Sequence, residues 1–247
     1  VFSGGNPCLE EIYETLCEKI ANNGAVASKN VIFRESLVGI DGNSFEISLC
    51  GGHWIKFSTS LGGTFQLDNA RTAILAASRL SRTYPLITLE AMKRGMAMAR
   101  WPGRLERTRF GQVSLILDGA HNLGGITALA ETLSRCGLSK NSCVVFAAMK
   151  DKDLQGMIRK ICESFPMVVF TSVPGSNRSA DPGDCLRIAK DLSLPVDLYI
   201  EKEPFLAIGK ASKKYDSIVC CGSLFLVGAV KVDLERYSSH GVTDGNS

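Results

Sequence analysis

Five apolar runs, at residues 113–117, 143–147, 167–173, 196–200 and 217–221, alternate with stretches of helical periodicity along the second part of a 247-residue chain. Runs of this kind need burial on both faces, and a parallel sheet with a helix in each crossover supplies it. The pattern therefore predicts an open α/β domain, Rossmann-like, with a mostly parallel sheet. The segment after Asn122 shows the logic. Ile126, Leu129, Ala130 and Leu133 form one helical stripe, and Gly137 stands where a C-terminal cap belongs.

Before Trp101 the rhythm differs. Leu9, Ile12, Leu16 and Ile20 follow helical spacing and Gly24 supplies a stop, which predicts a helix over residues 7–23. V-I-F-R-E-S-L-V, N-S-F-E-I-S-L-C and H-W-I-K-F-S-T-S-L then alternate in strand fashion between glycine-containing turns, as in an antiparallel meander. Helices are predicted over residues 67–82 and 88–99, split by Tyr84-Pro85. The change of rhythm places a boundary near Arg100. It separates residues 1–100 from a domain over 101–237, and residues 238–247 read as a loose tail.

Composition narrows the setting. With 45% hydrophobic and 21% charged residues the chain can bury one large core or two modest ones. The net charge of +3 is spread out, with no basic block interleaved with aromatics, which argues against nucleic acid as a partner. No apolar run approaches the roughly 20 residues of a membrane span, and the first residues lack a signal-peptide pattern. Nine cysteines, an odd number without Cys-x-x-Cys spacing, read as reduced core thiols of a cytoplasmic protein. The opening V-F-S-G-G resembles the end of a buried strand entering a turn, so the sequence is expected to begin inside a domain.

The stretch W-P-G-R-L-E-R-T-R-F-G-Q-V-S-L-I-L-D-G-A-H-N, residues 101–122, carries the clearest chemistry. In an open parallel sheet, ligands bind outside the carboxyl ends of the strands, where turns and helix N-termini present unpaired N–H groups. Asp118, His121 and Asn122 fall on that rim. They could hold a ribose hydroxyl, a phosphate or an ammonium group. Equally, Asp or Asn could cap the helix while His121 satisfies a buried backbone group. His53, in the hairpin region, and His240, in the tail, read as structural or solvated. Residues 150–153 (K-D-K-D) read as a solvated loop opening a helix.

W-P-G-R-L-E, D-G-A-H-N, M-K-D-K-D at residues 149–153, S-N-R-S-A at 176–180 and G-S-L-F-L-V-G at 222–228 occur in an order that resembles the folylpolyglutamate synthase/dihydrofolate synthase family, a branch of the ATP-dependent Mur ligases. L-G-G-T-F-Q-L-D-N-A, residues 61–70, is similar to the stretch that ends the family's central ATPase domain. Phe65 stands where the family commonly has histidine, and Leu123 where it has proline. The resemblance implies that residues 1–100 close a Mur-type central ATP-binding domain, with helices and antiparallel strands, and that residues 101–237 form the Mur ligase C-terminal α/β domain.

Family members use ATP to make an acyl phosphate of a folate or dihydropteroate carboxylate, which the amino group of L-glutamate attacks. Matched motif by motif, the resemblance implies that Asn69 contacts adenine and that Arg104 and Asp118 reach ATP from across the domain interface. His121 would lie at the glutamate and phosphate end as a catalytic group beside Asp118, and Ser223 would line the amino-acid pocket. No Gly-x-x-x-x-Gly-Lys-Ser/Thr occurs in the sequence. The phosphate loop and the Mg2+ ligands are therefore expected in a preceding half, so that this chain by itself would not ligate. The family is commonly monomeric, and a monomer is the expectation. A cell-wall Mur ligase and a non-catalytic nucleotide- or glutamate-binding module are the alternatives; the D-G-A-H-N wording favours folate.

Overall fold

A computed structural model describes residues 31–49 and 53–240. The chain divides into two compact units between Arg100 and Trp101. The helix expected over residues 7–23 lies outside the described residues.

In the first unit, β1 (Val31–Val38), β2 (Asn43–Leu49) and β3 (Ile55–Thr59) form the antiparallel meander in the order β1-β2-β3. Alternation puts Phe45, Ile47 and Phe57 on one face, where they pack with Leu67, Ala70, Ile74 and Leu75 of α1 (Phe65–Leu80). Phe45 stacks on both Phe33 and Phe57, with ring centroids 5.0 and 5.9 Å away. Helix α2 (Leu89–Met98) begins at Thr88, whose hydroxyl accepts the Ala91 N–H.

The L-G-G-T loop that leads into α1 is held from below by Asn43, a buried residue. Its amide donates to the Leu61 and Gly63 carbonyls, each at 2.9 Å, and accepts from the Gly39 N–H at 3.3 Å. Replacing Asn43 by alanine leaves these groups without their partner, so the first unit should lose about 1–3 kcal/mol. Urea unfolding monitored within residues 31–100 measures it; an unchanged midpoint would show that the loop holds itself.

The second unit contains a six-stranded sheet. Its strands are β4 (Glu106–Phe110), β5 (Val113–Leu117), β6 (Cys143–Phe146), β7 (Met167–Phe170), β8 (Asp197–Ile200) and β9 (Ser217–Cys221), in the order β4-β5-β9-β6-β7-β8. All neighbours are parallel except β4 and β5. Strands β6 and β7 are buried along their whole length, as their apolar runs demand. One face carries Leu115, Leu117, Val145, Val169 and Cys220 against α6 (Pro204–Ala211) and α7 (Leu224–His240). Helices α4 (Leu154–Ser164) and α5 (Pro182–Asp191) also pack on β7, and α3 (Leu123–Arg135) lies beside α4.

Three features differ from the sequence reading. Strand β4 was not anticipated: Glu106, Arg107 and Arg109 make it a polar, antiparallel edge strand, which lacks the apolar run that marks its neighbours. Strand β8, the other edge, is largely exposed despite its apolar residues. Helix α7 continues through His240, so residues 238–240 are helical rather than loose, while 241–247 lie outside the described residues. Gly137 does end α3 as expected, with φ +71° and N–H groups of Gly137 and Leu138 returning to Ser134 and Leu133.

Cys143, Cys162, Cys185, Cys220 and Cys221 are buried free thiols, and Cys136 is half-buried. Burial pushes the thiol of Cys143 up to about 12 and those of Cys162 and Cys185 up to about 11, so they stay protonated and act as core residues. No described helix is long and apolar enough to cross a membrane.

Candidate functional site

Strands β5 and β9 are neighbours, with Leu117 opposite Cys220, so the turns that follow them emerge side by side. The turn after β5 is D-G-A-H-N and the turn after β9 is Gly222-Ser223. They are joined directly, the Gly222 N–H donating to the Ala120 carbonyl at 2.8 Å. This is the carboxyl-end rim at which open α/β sheets bind ligands.

Asp118 lies beneath the rim, with its side chain buried. Its Oδ2 accepts the Leu105 N–H at 2.9 Å and its Oδ1 accepts the Ala120 N–H at 2.8 Å. Burial raises the carboxyl above the usual aspartate range, against the opposing effects of those two N–H groups and the nearby charge of Arg104. The resemblance implied that Asp118 touches ATP. Each carboxylate oxygen accepts one backbone N–H, so Asp118 ties together the two segments that carry those groups.

One of those segments is the W-P-G-R-L-E loop. Its Gly103 carbonyl accepts the Gly119 N–H at 2.7 Å, and its Gly103 N–H donates to Glu106 at 2.7 Å. Gly103 and Leu105 both have positive φ, +72° and +47°, so Arg104 sits between two left-handed residues. No hydrogen bond or ion pair ties its half-buried guanidinium to a described residue.

His121 is half-buried, and its Nδ1 lies 2.9 Å from the Gly119 carbonyl. A carbonyl can only accept, so Nδ1 carries the proton and Nε2 is left for a ligand. Asn122 caps α3 by accepting the Gly125 N–H at 2.8 Å. The capping alternative therefore holds for Asn122 and the backbone-bonding alternative for His121, while the His121 ring keeps one free nitrogen. Ser223 is buried and its Oγ accepts the Phe225 N–H at 3.2 Å, opening α7. Asn69 belongs to the first unit, near the start of α1, where its amide donates to Gln66 at 2.9 Å and the residue is exposed.

M-K-D-K-D and S-N-R-S-A meet in the structure, which their spacing along the chain does not indicate. Met149 and Ser179 form a bridge, Arg178 pairs with Asp151 at 2.9 Å, and the Lys150 amine donates to the Asn177 carbonyl at 3.0 Å. Asp153 caps α4 through the Gly156 N–H, which matches its reading as a helix-opening residue. A cavity of about 670 Å³, lined in part by Arg107, Lys140, Lys214 and Ser217, opens at the amino ends of β5 and β9 and so lies away from the rim. Among the described residues no three His, Cys, Asp or Glu side chains cluster as metal ligands do. These residues do not by themselves fit a magnesium site.

Residues 103–224 match the Mur ligase, glutamate ligase domain. That match takes in most of the second unit. Over its wider length the chain is similar to folate-class ligases. It is 32% identical over 209 residues to the dihydrofolate synthase/folylpolyglutamate synthase of Bacillus subtilis, covering 83% of this chain and 47% of that protein. Its fold superposes on a crystal structure of folylpolyglutamate synthase from Thermotoga maritima with a TM-score of 0.71 at 26% identity, over 91% of this chain and 51% of that one. The Mycobacterium tuberculosis folylpolyglutamate synthase complexed with ADP gives a TM-score of 0.75 at 25% identity, over 92% and 52%. The chain thus spans about half the length of these relatives.

Proposed function

We propose that the protein is an ATP-dependent amide ligase that adds L-glutamate to a folate or dihydropteroate carboxylate through an acyl phosphate. One observation carries this reading. The loops bearing Arg104, His121 and Ser223 are hydrogen-bonded to one another at a single carboxyl-end rim, within a glutamate ligase domain. Relatives named for dihydrofolate and folylpolyglutamate synthesis, one of them complexed with ADP, support the substrate class and the nucleotide. Residues 1–100 then close a central ATP-binding domain, and Asn69 is its adenine contact.

Ligation brings anionic phosphate and carboxylate groups together, so fixed donors are needed where charge develops. Arg104 offers a planar, permanently charged fork to phosphate. His121, held by Gly119 at Nδ1, presents Nε2 to the reacting end. Ser223 retains its hydroxyl proton for a substrate carboxylate while Oγ accepts from Phe225. Asp118 positions the Arg104 and His121 loops relative to each other.

The test is ADP formation by the active ligase with ATP, L-glutamate and either dihydropteroate or a folate. Glutamate-dependent turnover with either pterin is the expected result; turnover only with a nucleotide-linked peptide would make it a cell-wall ligase, and nucleotide binding without turnover a binding module. His121→Ala should lower kcat by roughly 10²-fold with an unchanged melting midpoint. Unchanged kcat and glutamate dependence would remove His121 from the site. The 247-residue chain alone, which has no Gly-x-x-x-x-Gly-Lys-Ser/Thr loop, should show no ligation.

A further inference from the structure

Arg104 lies next to a residue, Leu105, whose backbone conformation is disfavoured. Gly103 and Leu105, on either side, are both left-handed, and for leucine such a conformation costs about 1–3 kcal/mol and persists only where its surroundings impose it. Three hydrogen bonds restrain Gly103 and Leu105: Asp118 accepts the Leu105 N–H, Gly119 donates to the Gly103 carbonyl, and Glu106 accepts the Gly103 N–H. The side chain of Leu105 adds a fourth by its burial. Of these, only the Glu106 bond comes from a side chain that is itself held by another element. Lys231, in the middle of α7, reaches both Glu106 oxygens at 2.7 and 2.9 Å.

We infer that Glu106 and Lys231 are positioning residues that hold the left-handed turn at Gly103 and so aim Arg104 at its anionic ligand. The inference rests on the proposed role of Arg104 at ATP phosphate. The geometry assigns the two residues distinct jobs. Glu106 Oε2 takes the Gly103 N–H and shares Lys231 with Oε1, so the carboxylate bridges the loop and the helix. Lys231 does not touch the loop; it fixes the rotamer of Glu106, and it does so from the helix that Ser223 precedes. A surface ion pair of partly exposed groups would add little to stability by itself. What this pair adds is the orientation of a carboxylate against one particular N–H. Although burial raises the Glu106 carboxyl, the Lys231 hydrogen bond, the Gly103 N–H and the Lys231 charge together hold it below the ordinary glutamate range, so it is an anion at neutral pH and accepts without competition from its own proton.

The variants separate positioning from mere ion pairing. Glu106→Leu removes the acceptor, and should raise KM for ATP about tenfold, since an ångström of misplacement at a charged contact has effects of at least that order. Hydrogen exchange at the Gly103 amide of the 247-residue chain should accelerate with it. Lys231→Arg should restore wild-type KM, whereas Lys231→Met should fall between wild type and Glu106→Leu. In the charge swap of Glu106→Lys with Lys231→Glu, the ion pair returns but position 106 can no longer accept from Gly103. KM and Gly103 exchange should therefore stay at their Glu106→Leu values although the ion pair has returned. Arg104→Ala is the reference. If it raises KM for ATP and Glu106→Leu does not, or if the charge swap restores KM, positioning by Glu106 is overturned. If Arg104→Ala itself leaves KM unchanged, the proposed phosphate contact is wrong and the inference falls with it.

Discussion

Gly222→Ala should be among the most damaging single substitutions in the second unit, lowering its melting midpoint by roughly 10–20 °C. The residue sits at φ +104°, a region that L side chains rarely adopt. A Cβ there would stand 2.3 Å from the Ala147 carbonyl oxygen and 2.6 Å from the Phe146 ring. Neither neighbour can yield easily. Phe146 is fully buried in the central strand β6, and the Ala147 N–H is bonded to the Cys221 carbonyl. Backbone strain of about 1–3 kcal/mol and forced displacement of similar size would together cost about 2–6 kcal/mol, a large share of a domain's net stability. The loss would also be local, because Gly222 donates to Ala120 and precedes Ser223, so the two rim turns would separate first. Thermal unfolding followed by circular dichroism measures the stability, and exchange at the Gly222 amide reports the rim. A variant that melts like wild type would mean that β6 and β9 can slide apart without penalty.

The parallel core was legible because its physics is written locally. Strands buried on both faces must be apolar, and the runs that became β5, β6, β7 and β9 are, apart from the half-buried Ser114 and Ser217. The edge strand β4 was not legible, since a strand paired on one side tolerates Glu106, Arg107 and Arg109, and such a sequence reads as a loop. Its partner pattern is antiparallel through a turn at Gly111, which carries no apolar signal either. The order β5-β9-β6 was equally out of reach. It depends on which strand end the last crossover finds, and no residue spacing along the chain encodes that placement.

For the candidate site, motif resemblance singled out Arg104, Asp118, His121 and Ser223, and the structure brings their loops to one rim. It did not reveal how. Two of the cross-links, Gly119 to Gly103 and Gly222 to Ala120, run between backbone groups, which are the same at every position, and the third joins the Leu105 N–H to the Asp118 carboxylate. A further side-chain link starts from Glu106 at the end of W-P-G-R-L-E, two residues beyond Arg104, and its partner Lys231 lies 125 residues further along. Spacing cannot expose a pair that distant.

Asp118 brings these links together, and its variants should separate two effects. Asp118→Ala leaves the Leu105 and Ala120 N–H groups buried without acceptors, at about 1–3 kcal/mol each, so a loss of roughly 2–6 kcal/mol is expected together with loss of turnover. Asp118→Asn preserves shape but offers only one acceptor oxygen; its amide would face the second N–H donor to donor, and should cost about 1–3 kcal/mol. The two proteins then differ in their pH dependence. The folded-state pKa of Asp118 is raised, chiefly by burial, so the native state holds that proton more tightly than the unfolded chain does. Its contribution to stability is complete below the ordinary aspartate value and is lost as pH rises through the folded value. Asparagine does not titrate. The stability gap between wild type and Asp118→Asn should therefore narrow as pH rises from about 4 upward, since every other group titrates alike in both and cancels. Urea unfolding of both proteins across that range gives the gap directly. A gap that widens with pH would mean that the two N–H groups and Arg104 outweigh burial and hold Asp118 as a stabilised anion; in that case the carboxylate charge itself, and not only its shape, would keep Arg104 and His121 on the same rim.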